Sequence, residues 1–148
     1  MQRTGENRLK PNSASRCARR TLHTCASDGK QFNFREIYIH SKLLLIDDTY
    51  FTLGSANLNL RSMAVDSEIN VSTVDPVCAK DLRKRIWGQL SGTTEGDGGD
   101  GSRTKIAEAF GAWVNTMGEN KIQQKSGLRM TGFLLPLADK RSSTSRVG

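Results

Sequence analysis

Residues 35–73 read REIYIHSKLLLIDDTYFTLGSANLNLRSMAVDSEINVST, and this stretch decides the fold. Leu43–Ile46 is a continuous apolar run that ends in the polar triplet Asp47-Asp48-Thr49. Tyr50–Leu53 follows and is stopped by Gly54-Ser55. Two β-forming runs around a short polar turn predict a hairpin. The uninterrupted Leu-Leu-Leu-Ile predicts a strand buried on both faces, as in a layered α/β protein. Glu36–His40 is rich in β-formers and predicts another strand before the hairpin, and Ser67–Thr73 predicts one after it.

The polar residues of the same stretch are spaced in a way that carries chemistry. Residues two apart on a strand share a face, so His40 and Lys42 point together. After the turn the chain returns antiparallel, which brings Ser55 and Asn57 to the end of the second strand, beside His40 and Lys42. Lysine supplies charge for a phosphate, and serine and asparagine supply neutral donors. Histidine can attack phosphorus or pass a proton. Neither a cysteine nor a carboxylate is placed to hold a metal there, so neither metal nor cofactor is expected.

Outward from the hairpin, RTLHTC (20–25) predicts a short strand and SDGKQFN a loop, with Asp28-Gly29 as its turn. On the other side, Asp75-Pro76 opens a helix as N-cap and first-turn proline. Cys78, Leu82, Ile86 and Leu90 make its apolar stripe, with Arg83, Lys84 and Arg85 on a solvated face. The Gly- and acid-rich 91–102 predicts a flexible loop. Lys105–Met117 reads as a helix with Ile106, Phe110, Trp113 and Val114 on one side, and 127–137 as a Gly-punctuated extended segment.

The chain has 148 residues and a net charge of +7. Residues 1–20 hold six basic groups against Glu6, and 139–148 hold three against Asp139, so residues 21–138 are neutral. These divisions predict a disordered basic tail over 1–20, one domain over 21–137 and a disordered tail over 138–148. A neutral body disfavours a polyanionic partner, hence nucleic acid, and leaves room for a local phosphate site. No apolar run approaches the ~20 residues of a spanning helix, and the N-terminus lacks the apolar stretch of a secretory signal. That leaves a cytoplasmic chain or one exported by a signal-independent system, without naming the compartment. Cys17, Cys25 and Cys78 have no metal spacing and read as free thiols.

His40, Lys42, Asp47, Gly54, Ser55 and Asn57 together spell HxK, four residues, D, and a later GSxN, which resembles the phospholipase D superfamily with its HKD motif. The flanks IYIHSKLLLIDD, LGSANLNLRSMAVDSEINV and LRKRIWGQL resemble the C-terminal motif of bacterial two-motif enzymes. Those include phosphatidylserine and cardiolipin synthase-like proteins and type VI secretion lipase effectors. The resemblance implies an α/β phospholipase D-like layered fold, a mixed sheet flanked by helices, of which this chain is a C-terminal half-unit. It implies phosphodiester hydrolysis or transphosphatidylation on phospholipids through a phosphohistidine, with peripheral contact to a membrane. His40 would be the acid/base of a histidine pair; Lys42, Ser55 and Asn57 would hold the phosphate; Glu68 would orient His40; and Asp47 would complete the catalytic set while serving mainly the turn.

The family site takes two motifs and this chain has one, His23 being its only other histidine. A second HKD-bearing chain or a homodimer would complete the site. Only 39 residues precede His40 and the part after the motif is long, which suggests a truncated gene product. A homodimeric single-motif nuclease and an inactive fragment are the alternatives.

Overall fold

The computed structural model describes residues 20–137. Three strands form one antiparallel sheet in the order β2-β1-β6: β1 (Arg20–Ser27), β2 (Phe32–Glu36) and β6 (Leu134–Pro136). A second antiparallel sheet has the order β3-β4-β5: β3 (Lys42–Ile46), β4 (Tyr50–Gly54) and β5 (Asn70–Thr73). The helices are α1 (Leu60–Ala64), α2 (Pro76–Ser91) and α3 (Arg103–Lys125). The α/β class holds, but the strands make two antiparallel sheets where one mixed sheet was expected. The reason is connectivity. A helical crossover that returned beside its own strand would make a parallel pair; α2 and α3 instead carry the chain from β5 to β6 in the other sheet.

The strand expected over Glu36–His40 lies earlier. Asp28 organises the β1–β2 turn by accepting from the Lys30 and Gln31 amides and from Asn33 Nδ2. Those bonds, Gln31 foremost, hold its carboxyl below the ordinary carboxylate range. The β1–β2 register then runs from Ser27↔Phe32 to His23↔Glu36 and closes with Ile37 N–H donating to Leu22 O. Residues 38–41 leave this ladder and cross to β3.

The core lies between α2, α3 and the first sheet. Trp113, Met117 and Leu134 are buried there, with Leu22, Trp87, Leu90 and Phe110 packed against them. Trp87, Phe110 and Trp113 meet edge-on or tilted, with centroids 4.8–5.7 Å apart, the geometry that aromatic quadrupoles favour. Helix α3 runs eight residues past the expected Met117 because Asn120 buries a polar side chain with all its needs met. Its Nδ2 donates to Thr131 O and Leu134 O, and its Oδ1 accepts from Thr131 N–H. These bonds pin β6 to the helix.

Helix α2 starts as read, with the Asp75 carboxylate accepting from the Val77 and Cys78 amides and Pro76 in its first turn. Its basic run is not all solvated. Arg83 is 3% exposed, and its guanidinium grips Asp48 through two bonds of 2.5 and 2.6 Å. It also donates to the carbonyls of Asp97 and Gly99. A buried charge persists only when paired in this way. The segment 91–102 is therefore no flexible loop: it carries a 3₁₀ turn, Glu95–Asp97, and is tied down by Arg83 and by Trp113 Nε1 donating to Gly96 O. Its glycines permit close approach; a Cβ on Gly98, at φ +79°, would stand 2.5 Å from Arg83 Nη1.

Leu43–Ile46 is not buried on both faces either. Leu44 and Ile46 are each 44% exposed, because among the described residues the helices are spent on the other sheet and leave this face open. Residues 1–19 and 138–148, where tails were expected, lie outside the described residues; Arg20, assigned to the first tail, opens β1. Cys25 and Cys78 are free thiols, and Cys17 lies outside the described residues.

Candidate functional site

The β3–β4 hairpin pairs Lys42 with Gly54 at its open end, so the residues just before Lys42 and just after Gly54 meet there. A Cβ on Gly54 would lie 2.1 Å from Asn70 Oδ1 and 2.2 Å from Ile69 O. Only glycine lets β5 approach this closely. Ser55 then locks the junction: its N–H donates to Ile69 O at 3.1 Å, and its Oγ accepts from Ile69 N–H at 3.2 Å. Asn70 adds a clamp by accepting from Ala56 N–H and donating to Thr52 Oγ1, both at 3.1 Å.

On this frame sit the expected residues. Lys42 Nζ stands 3.4 Å from His40 Nε2. His40 is exposed and Lys42 half-buried. Ser55 Oγ donates to Glu68 Oε2 at 2.5 Å. Asn57 Nδ2 donates to Ser62 Oγ at 3.5 Å. The Glu68 carboxyl is held below its ordinary range, first by the Ser55 hydroxyl, then by Ser62, with small contributions from the Lys42 and His40 charges. The hairpin end thus gathers a cation, an imidazole, two hydroxyls, a carboxamide and an ionised carboxylate. Such a set can bind a phosphate oxygen, and its imidazole can exchange a proton.

Glu68 sits differently from the sequence reading, and Asp47 sits in the turn it was expected to serve. Glu68 takes the Ser55 hydroxyl, and among the described residues no hydrogen bond joins it to His40. Asp47 lies in the turn at the opposite end of β3, roughly 16 Å from Lys42 by strand rise alone. Both Asp47 and Asp48 have positive φ, +47° and +52°, and Thr49 N–H donates to Ile46 O at 2.9 Å, closing the three-residue turn between the paired Ile46 and Tyr50. The neighbour Asp48 holds Arg83. His23 faces Glu36 across the first sheet and lines a separate cavity with Lys121 and Gln124.

Sequence reasoning passed over Asn70, Ser62, Asp48 and Arg83. Asn70 carried a signal, since asparagine is depleted in strands. Arg61, beside Ser62, pairs with Asp66 at 3.0 Å. Among the described residues no three His, Cys, Asp or Glu side chains gather to hold a metal, and no helix is long and apolar enough to cross a membrane.

Residues 4–89 match the cardiolipin synthase PLD-like domain family. The chain belongs to that family. Cardiolipin synthase 1 of Staphylococcus aureus (strain COL) is 40% identical over 58 residues, which is 39% of this chain and 12% of that protein. Phospholipase D alpha 1 of Zea mays is 50% identical over 58 residues, 38% of this chain and 7% of that protein. The chain therefore spans about an eighth of the staphylococcal relative and less of the plant one. No solved structure matches it. The expected membership of the phospholipase D superfamily is thereby shown, and the PLD-like match, ending at residue 89, takes in the whole hairpin, α1, β5 and most of α2.

Proposed function

We propose that this PLD-like domain supplies one half of a site that cleaves or transfers the phosphodiester of a phospholipid. The observation that supports this reading is the meeting of His40, Lys42, Ser55, Asn57 and Glu68 at the open end of one hairpin. Lys42 and the Asn57 carboxamide would hold the non-bridging oxygens. A histidine from a second motif would attack phosphorus, forming the N–P bond as the P–O bond to the departing alcohol breaks. His40 would give that alcohol its proton. In the second half, His40 would take the proton from water or an acceptor alcohol, whose oxygen then displaces the histidine. Asp47 enters this reading as a turn residue.

The second motif would come from another HKD-bearing chain or from a second copy of this one. The surface around the site favours such a cover. Tyr38, two positions before His40, and Leu58, next after Asn57, are 87% and 88% exposed, and Leu60, Met63 and Val65 are exposed as well. Apolar side chains left in water this near the motif residues are ones a covering chain would bury.

The test is head-group release from mixed phospholipid vesicles by the purified chain, with His40→Ala beside it. Release that falls about 10²–10⁴-fold in the variant supports the acid/base role. Undiminished release from His40→Ala overturns it. A folded wild-type chain that releases nothing alone, but does so when mixed with a second HKD-bearing chain, identifies this chain as the incomplete half.

A further inference from the structure

Helix α1 presents the wrong face inward for an apolar helix. Leu60 and Met63 stand out in solvent, and the single side chain it buries is a hydroxyl, Ser62, at 8% exposed. Packing therefore does not hold α1 in place. Its N-cap does part of this, with Asn59 Oδ1 accepting from Ser62 N–H at 2.8 Å. The rest falls to Ser62 Oγ, because a buried hydroxyl must find partners. It accepts from Asn57 Nδ2 at 3.5 Å, and it stands near enough to the Glu68 carboxylate to help, after Ser55, hold that carboxyl below its ordinary range. Glu68 also receives Ser55 Oγ. Asn57, Ser62, Glu68 and Ser55 thus stand as one polar cluster, with Asn57 bonded to Ser62 and Ser55 bonded to Glu68. It joins the loop after β4 to the segment before β5 around a side chain that is itself buried.

We infer that Ser62 is a positioning residue, whose hydroxyl sets the Asn57 carboxamide and the Glu68 carboxylate in their places beside Lys42. The inference rests on the reading of this cluster as a phosphate site and adds the residue on which two of its members depend. A hydroxyl serves here because it can accept from Asn57 while turning its proton toward Glu68. Alanine does neither, and cysteine does both poorly.

The test compares the wild-type chain with Ser62→Ala and Ser62→Thr, with Ser62→Cys as the near-isosteric stand-in should alanine fail to fold. Two quantities are read by NMR: the titration of the Glu68 side-chain carboxyl and the binding of inorganic phosphate. Loss of the hydroxyl should move the Glu68 midpoint upward and weaken phosphate about tenfold, the scale of one hydrogen bond to a charged group. Ser62→Thr should retain both properties. A folded Ser62→Ala or Ser62→Cys chain with an unchanged Glu68 titration, or with unchanged phosphate binding where the wild type binds, overturns the inference. If the wild type binds no phosphate while the Glu68 midpoint still follows the hydroxyl, the phosphate reading fails and the Ser62 link stands.

Discussion

The two sheets of this chain are stabilised by different physics. Around β2-β1-β6, α2 and α3 bury three aromatic rings, Met117 and Leu134, and the polar groups inside that core, such as Asn120, are bound to backbone. Around β3-β4-β5 the order is reversed. Apolar side chains such as Leu44, Ile46 and Val71 are exposed, while Ser55 binds Glu68, Asn57 binds Ser62, and Asn70 binds Ala56 N–H and Thr52 Oγ1. The first half is held by area removed from water, the second by directional bonds. Directional bonds fix side-chain positions to a few tenths of an ångström, which suits a site that must meet a phosphate. The open apolar faces suit a half that is covered by something else. The Asp48–Arg83 pair is the rivet between the two, joining the tip of the motif hairpin to α2 and to the glycine-rich cap.

If that contrast is right, substitutions in the two halves should fail in different assays. Trp113→Ala should cost about 3–5 kcal/mol of stability in urea unfolding, as large-to-small changes in a packed core do. Arg83→Ala should cost about as much, because it leaves Asp48 and two carbonyls without their partner; a loss under 1 kcal/mol would mean the rivet is ornamental. Asn57→Ala should leave the urea midpoint nearly in place yet raise the barrier to head-group release by about 3 kcal/mol in the completed site, as loss of one preorganised donor does elsewhere.

Acid should act on the motif half through Glu68, as it does on the β1–β2 turn through Asp28. The folded Glu68 carboxyl titrates below its unfolded counterpart, chiefly because the Ser55 hydroxyl donates to it, with Ser62 nearby adding to the effect. Its contribution to stability is therefore complete above the ordinary glutamate range and is lost as pH falls through the lowered folded value. Glu68→Gln should remove that portion of the acid dependence of the urea midpoint; an unaltered acid profile would contradict the sign argued here. The smallest effect belongs to the open face. Leu44→Ser should change stability of the isolated chain by no more than about 0.5 kcal/mol, while weakening any association that covers β3. A larger loss of monomer stability would show that the face is already packed.

The pattern of what could be read from sequence follows the range of the interactions. His40 and Lys42 are two residues apart, and Ser55 and Asn57 return to them through a three-residue turn, so strand alternation and hairpin geometry sufficed. The same reasoning marked the α2 N-cap at Asp75. It did not choose among Arg83, Lys84 and Arg85, because consecutive helix positions differ by only about 100° and nothing local says which one meets a carboxylate. The glycine-rich 91–102 looked mobile for a related reason: a glycine needed for close approach and one that merely loosens the chain are spelled alike.

Local signals account for the motif hairpin, its polar inventory and the two long helices, α2 and α3, since each depends on neighbours a few residues away; the short α1 was not among them. Only the tertiary structure decided that Asp48 reaches Arg83 across 35 residues, that Glu68 closes on Ser55, and that two antiparallel sheets stand where one mixed sheet was expected. Those outcomes depend on which surfaces meet after the chain has folded back, and burial and hydrogen bonding between distant segments leave no periodic trace in the order of the residues.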